Sequence, residues 1–187
     1  MPSLYIIAGC NGAGKTTAAY NLLPDVFKAI EFVNADEIAR GLSPFNSEGV
    51  AFQAGKIMLE RLKDLLSRKK NFAFETTLAG STYINFIQLA KSEGYDITLF
   101  FIWLNNVNLA KERVAERVRK GGHNIPEDVV ERRYVKGIKN LRKYLCEADH
   151  WYIYDNSGAE YLLVAKFMEG KEIVSNFALY NKISGNE

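Results

Sequence analysis

Only two cysteines, Cys10 and Cys146, occur in 187 residues, and no spacing pattern surrounds them. Their scarcity excludes a disulfide framework and a cysteine-built zinc site, and it fits a reducing compartment. Long hydrophobic runs are missing too. The first apolar run, Leu4 to Ala8, breaks straight into a glycine-rich turn, and no later run approaches the ~20 residues that a membrane span requires. Neither a signal peptide nor a membrane partner is therefore expected, and the reading is a cytoplasmic protein. Charge of one sign is not in excess: Lys and Arg number 24 against 22 Asp and Glu, a net charge of +2. A general polyanion binder is not indicated and nucleic acid is an unlikely partner, although local basic clusters remain open. Repeats, low-complexity tracts and linkers are absent as well, so residues 1–187 read as one domain with enough chain for a continuous core.

What is present starts at once. The run Leu4-Tyr5-Ile6-Ile7-Ala8 reads as a short buried strand, and Gly9-Cys10-Asn11-Gly12-Ala13-Gly14-Lys15-Thr16 fits G-x-x-x-x-G-K-[ST] at every fixed position. This is a phosphate-binding P-loop. Gly9, Gly12 and Gly14 allow backbone conformations that a Cβ would hinder, so that successive N–H groups, including those of Asn11, Ala13 and Thr17, can point into one anion-binding concavity. Lys15 reaches the β- and γ-phosphates, and Thr16 offers a hydroxyl to Mg²⁺. A helix from near Lys15 to Leu23 adds the positive end of its dipole. Cys10 among these N–H groups reads either as a reactive thiolate or as a small residue filling the loop.

Further along, 29–34 reads as a second strand that breaks at Ala35-Asp36-Glu37. An open α/β sheet carries its ligand chemistry at the carboxyl ends of its strands, which makes Asp36 a site candidate; the alternative is an N-cap for a short turn over Glu37 to Arg40. A long helix is expected over Ser47 to Lys70, its basic end explained by the helix dipole alone. Asn71 to Thr77 reads as a third strand ending in Glu75-Thr76-Thr77, again at the ligand edge. Glu75 is open there between a site role and a cap. Ser81 caps a helix that Gly94 stops, and Ile97 to Leu104 is apolar on both faces, as suits the middle of a parallel sheet.

The helix over Asn106 to Lys120 carries Lys111, Arg113, Arg117, Arg119 and Lys120. Its bland reading is a solvated face, since Glu112 and Glu116 interleave. The loop Gly121-Gly122-His123-Asn124-Ile125-Pro126 that follows, with Arg132 and Arg133 beyond it, suggests instead a helical hairpin over 106–135 acting as an arginine-bearing lid on phosphates. His123 reads as a phosphate or substrate contact, or as a loop hydrogen bond. Pro126-Glu127-Asp128 starts a helix to Cys146 with Val130, Tyr134, Ile138, Leu141 and Leu145 as its buried stripe. Trp151 to Asp155 is a fifth strand. Tyr161 to Met168 and Lys171 to Asn176 form an antiparallel hairpin through Glu169-Gly170, and Ser184 to Glu187 is a frayed end.

Strands alternating with helices call for a mainly parallel sheet with right-handed crossovers. Taken together, GCNGAGKTT, NADEIA, FETTLAG, ERVRKGGHNIP, ERRY and YDNSG, in this order, resemble the zeta toxin-like P-loop kinases, a group also described as predicted ABC-type ATPases. The resemblance runs from about Leu4 to Gly158. It implies an α/β P-loop NTPase sandwich, sheet order 2-3-1-4-5 as in adenylate kinase, and phosphoryl transfer from ATP with Mg²⁺ to a small-molecule hydroxyl, a UDP-linked N-acetylamino sugar in characterised zeta toxins. An antitoxin partner is implied as well. Residue by residue, Lys15 and Thr16 match the P-loop pair, Asp36 matches the aspartate proposed as base, Glu75 with Thr77 match the substrate-binding Glu-x-Thr, and Arg117 matches the first lid arginine. The second lid arginine of that family has no direct counterpart, so His123, Arg132 or Arg133 is expected to take its work.

Two other classes stand beside this one. A nucleotide-hydrolysing switch or transporter ATPase lacks its second element here, since no LSGGQ-type signature and no N-K-x-D motif occurs. A kinase of nucleic-acid ends shares the fold and base logic, and the near-zero net charge weighs against its long polyanionic substrate.

Overall fold

A computed structural model describes residues 1–22 and 31–185 of the chain. Seven strands form one sheet in the order β2-β3-β1-β4-β5-β6-β7. In chain order the strands are β1 (Ser3–Gly9), β2 (Glu31–Val33), β3 (Phe72–Thr76), β4 (Asp96–Trp103), β5 (His150–Asp155), β6 (Leu162–Met168) and β7 (Lys171–Val174). The first five pair in parallel, and β6 and β7 close the edge antiparallel. This is the expected 2-3-1-4-5 order, extended by the expected hairpin. Glu169 and Gly170, with φ of 52° and 74°, supply the two left-handed positions that a tight hairpin turn of this twist needs.

The period-2 alternation along the central strands sorts the core into two layers. Ile6, Phe72, Phe74, Leu99 and Phe101 face one side, where Met58, Leu62, Phe86, Ile87, Leu141 and Tyr144 pack against them. Ile7, Ala73, Phe100 and Ile102 face the other, under Ala18, Ala19, Ala110, Val114 and Val130. The helices that supply these residues are α1 (Lys15–Leu22), α3 (Ala51–Ser67), α4 (Thr82–Ser92), α5 (Val107–Arg119) and α6 (Glu127–Glu147), with α7 (Phe177–Ser184) docked behind β6. Phe72 and Phe74 are fully buried, and each such side chain contributes about 1.5–3 kcal/mol by leaving water. That burial is what pins the ends of β1 and β3 side by side.

Several expectations are corrected. Residues 35–42 are not a short turn after an Asp36 cap but a full helix, α2 (Ala35–Leu42), and its N-cap is Asn34, whose side chain accepts from the Asp36 N–H at 2.8 Å. The helix expected from Ser47 begins instead with a single 3₁₀ turn, Glu48–Val50, and ends at Ser67. Lys69 is not left to the helix dipole, because its ammonium binds the Glu93 carboxylate at 2.6 Å. Ser81 stands at the N-cap of α4 without a side-chain capping bond. On α6 Val130 and Leu141 are buried as expected, but Tyr144 is fully buried in place of Leu145, and its hydroxyl reaches the Gly80 carbonyl. Helix α7 was not anticipated. The expected end of the first helix at Leu23–Pro24, the start of the second strand at Ala29–Ile30, and the fraying of residues 186–187 lie outside the described residues.

Candidate active site

The P-loop folds as its glycines require. Gly9, Gly12 and Gly14 all take positive φ, at 146°, 78° and 91°. Neighbouring backbone closes the space at two of them: a Cβ on Gly9 would lie 2.2 Å from the Ile102 carbonyl oxygen, and one on Gly12 would lie 2.8 Å from that of Ala110; at Gly14 side chains do so, the Tyr161 hydroxyl at 2.7 Å. The loop is thus clamped between β4 and α5. Asn156, just after β5, ties it from another side by donating to the Ala13 carbonyl at 2.9 Å, and the Tyr161 hydroxyl donates to Gly14 at 3.0 Å. A loop held from three directions presents its N–H groups with little left to organise when an anion arrives.

Lys15 is buried, and its ammonium donates to the Cys10 carbonyl at 2.8 Å and lies 3.4 Å from Glu75 Oε1. Glu75 is buried as well. Its Oε2 accepts from the Thr16 hydroxyl at 2.7 Å and from Asn34 Nδ2 at 2.9 Å. Neither a helix cap nor an outward-pointing ligand, Glu75 is a hub that joins β3, the P-loop and the start of α2. This follows from register, since Ile7 in β1 lies beside Glu75 in β3. Thr76 turns back to accept from the Leu78 N–H. Thr77 is half-buried, with α6 pressed so close that a Cβ on Gly137 would sit 2.5 Å from its carbonyl oxygen.

Asn34 links that hub to α2 and Asp36. One end of its amide holds Glu75 and the other caps α2 at Asp36. The Asp36 carboxylate then meets His123 Nε2 at 3.6 Å, and the His123 carbonyl accepts from Arg117 Nη2 at 3.2 Å. The loop between α5 and α6 has thus come down onto α2. Gly121 and Gly122 end α5 through bonds back to Val118 and Arg117, and Gly122 packs so tightly on the Arg117 stem that a Cβ there would sit 2.5 Å from Arg117 Cγ. Burial lowers the His123 pKa below 6.5; the Asp36 charge opposes this and the Arg117 charge adds to it. At neutral pH His123 therefore carries no charge of its own, and Asp36 faces a neutral ring.

Two more arginines approach the loop. Arg133, on α6, reaches the buried Asn11 side chain at 3.4 Å. Arg113, on α5, lies with its Cβ 3.2 Å from where a Gly12 Cβ would be. Arg132 is exposed, and so is Thr17 on the first turn of α1. The thiolate reading of Cys10 is overturned, because burial pushes its thiol up to about 11 although Lys15 and Arg113 pull partly back. Cys10 is a loop-filling residue. Sequence reasoning missed Asn34, Asn156 and Tyr161 as parts of the site. Arg113, four residues before Arg117 and hence on the same helix face, was among the arginines expected on the hairpin.

Among the described residues no three His, Cys, Asp or Glu side chains gather as a metal site, so a cation here would draw most of its ligands from phosphate and water. The Thr16 hydroxyl beside the Glu75 carboxylate fits such a cation, since Mg²⁺ favours oxygen donors and keeps several waters. A cavity of about 550 Å³ between α6, α7 and β5 is lined by none of the predicted site residues. The predicted site residues instead gather at the carboxyl ends of β1, β2 and β3.

A clamped P-loop at that edge of a 2-3-1-4-5 sheet, with arginines descending from a helical hairpin, defines a protein of the P-loop kinase fold. The chain belongs to the zeta toxin family, whose sequence profile, described as "Zeta toxin", matches residues 1–164. A protein of Haemophilus influenzae, described as uncharacterized, is 32% identical over 127 residues, covering 67% of this chain and 88% of its own. Among solved structures, the AvrRxo1-ORF1:AvrRxo1-ORF2 pair is similar to it both with sulphate ions (TM-score 0.84, 21% identity) and with ATP (0.80, 20%). In both, 98% of this chain is covered but only 64% of the other, so the chain spans less than two thirds of that protein. The PezAT chromosomal toxin–antitoxin system of Streptococcus pneumoniae aligns with TM-score 0.69 and 18% identity, covering 100% of this chain and 80% of the other. No helix among the described residues is long and apolar enough to cross a membrane.

Proposed function

We propose that this protein is an ATP-dependent phosphotransferase that moves the γ-phosphoryl group to a hydroxyl of a small molecule. One observation carries the reading: the P-loop, Asp36 and the lid residues His123 and Arg117 are joined into one cleft by Glu75 and Asn34. Phosphoryl transfer asks a protein chiefly for positioning and for positive charge around the migrating group. Lys15 and the loop N–H groups cradle the phosphates. Arg117 and Arg133, with Arg113 near the loop, supply charge from the lid side. Asp36, half-exposed in the first turn of α2, orients the acceptor hydroxyl and takes its proton. Mg²⁺ held by Thr16 would neutralise phosphate charge when bound with ATP.

The family supports an acceptor of the UDP-N-acetylamino sugar type, with Thr77 and His123 lining its site, and a cytoplasmic enzyme whose partner is an antitoxin protein. The test is to incubate the enzyme with γ-labelled ATP and a panel of hydroxyl compounds that includes such sugar nucleotides, with Lys15→Ala as control. Label is expected in one acceptor. Label released only as inorganic phosphate across the panel would favour a hydrolase.

A further inference from the structure

Asp36 is not a lone carboxylate. Its Oδ2 lies 3.6 Å from His123 Nε2, with the two side chains 33% and 13% exposed. The charges of Glu37 and Arg40, also on α2, act on the same ring with opposite signs, so the His123 loop rests along the first turns of that helix. Arg117 holds the same residue by its backbone: Nη2 donates to the His123 carbonyl at 3.2 Å and lies 3.5 Å from Nε2. Two groups therefore face one ring nitrogen. A carboxylate can only accept and a guanidinium can only donate. Arg117 already has the carbonyl as its acceptor, whereas Asp36 would face a bare lone pair if Nε2 carried no hydrogen. The tautomer with hydrogen on Nε2 satisfies both neighbours.

We infer that His123 is a positioning residue for Asp36, gripping one carboxylate oxygen from the α5–α6 loop and so setting the base only when that loop is down. Held by Oδ2, Asp36 keeps Oδ1 for the acceptor hydroxyl. Burial leaves the ring neutral at neutral pH, and a neutral donor steers a carboxylate without cancelling its charge. An imidazolium in its place would pull the Asp36 pKa down and make a poorer base. At 3.6 Å the contact is longer than a formed hydrogen bond, and catalytic bonds commonly tighten only when substrate is in place. The loop is also tied to Arg117, by the carbonyl bond and by Gly122, whose missing Cβ leaves room for the Arg117 stem. Arginine and histidine stand six residues apart on one hinge, so the charge meant for the phosphoryl group and the grip on the base arrive together.

The inference rests on the kinase reading above, and the experiment separates the two. Acceptor-dependent kcat and KM are measured with γ-labelled ATP and UDP-N-acetylglucosamine, or the hydroxyl compound of the panel that takes label. The proteins are wild type, Asp36→Asn, and His123→Ala, His123→Asn and His123→Gln, the first two His123 variants also in the Asp36→Asn background. His123→Ala is expected to lower kcat on the order of 10²-fold, the cost of a misplaced catalytic group, with acceptor KM near wild type. His123→Gln, which returns an N–H near the place of Nε2, is expected to recover most of that loss, and the shorter His123→Asn is not. In the Asp36→Asn background His123→Ala is expected to cost nothing further, since a positioning residue loses its work with the group it positions. Melting temperatures confirm that each variant is folded; should His123→Ala not fold, His123→Asn carries the comparison. Equal losses in both backgrounds, a wild-type kcat in His123→Ala, or a raised acceptor KM with kcat unchanged would overturn this inference alone. Label passed to no acceptor by the wild-type protein would overturn the kinase reading and this inference with it.

Discussion

Replacing Asn34 separates what it does for stability from what it does for the cleft. Asn34→Ala removes the α2 cap, worth about 1 kcal/mol. It also removes a hydrogen bond to a charged group, worth about 1.5–3 kcal/mol. Glu75 keeps Thr16 and Lys15, so the lower end of the second range applies and the total is about 2–3 kcal/mol. For a chain of this length each kcal/mol shifts the melting temperature by about 2–4 °C, so a fall of about 4–12 °C is expected by differential scanning fluorimetry. Asn34→Asp keeps the cap but sets a carboxylate where Nδ2 met Glu75 at 2.9 Å. Like charges that close raise the proton affinity of the pair in the folded state, so folded protein binds more protons than unfolded and stability must fall as pH rises. The expected signature is a melting temperature near wild type in mild acid that drops below it toward neutral pH, with no such slope in Asn34→Ala. An Asn34→Asp protein with the wild-type profile at every pH would show that Asn34 does not touch Glu75, and the linked cleft would fail.

Two further outcomes follow from the lid. Arg117→Ala should lower turnover by about 10³-fold or more while ATP affinity stays near wild type, because its charge matters most in the transition state; unchanged turnover would make Arg117 a structural prop for the loop. Because folding depresses the pKa of His123 below 6.5, the unfolded chain binds more protons in mild acid, and the stability this group contributes is present above pH 6.5 and lost as pH falls below it. His123→Asn should flatten the wild-type decline in melting temperature between neutral pH and pH 5, and parallel curves for the two proteins would refute a buried neutral His123.

The legible parts of the sequence are those where one local rule decides. Leu4 to Ala8 followed by the P-loop admits little but a strand, a tight turn and a helix. Glu169-Gly170 announces its hairpin by turn chemistry, and the two-sided apolar run at Ile97 to Leu104 announces a central strand. What stayed hidden depends on long-range pairing. Asp36 at a strand end looks like a cap until Asn34 is seen to cap α2, and an asparagine holding Glu75, 41 positions away, leaves no local trace. Asn156 and Tyr161 reach the P-loop only because the sheet order brings β5 and the approach to β6 near β1. α7 was missed because eight residues give a weak helical period, although Asn176, which caps it by accepting from the Leu179 N–H, offered a start signal. The hairpin of α5 and α6, proposed as a lid, was half legible: its arginines and Gly121-Gly122 stood out, but not which arginine meets which group.

The central claim is that Asp36 and the P-loop work on the two ends of one phosphoryl transfer. The most direct measurement compares acceptor-dependent turnover and MgATP affinity in wild type and Asp36→Asn. That substitution keeps size and leaves the Asn34 cap in place, since the cap uses the Asp36 backbone. The account predicts turnover lower by about 10²–10⁴-fold, the usual worth of a positioned base, with MgATP bound as in wild type. Full acceptor-dependent activity in Asp36→Asn would contradict it.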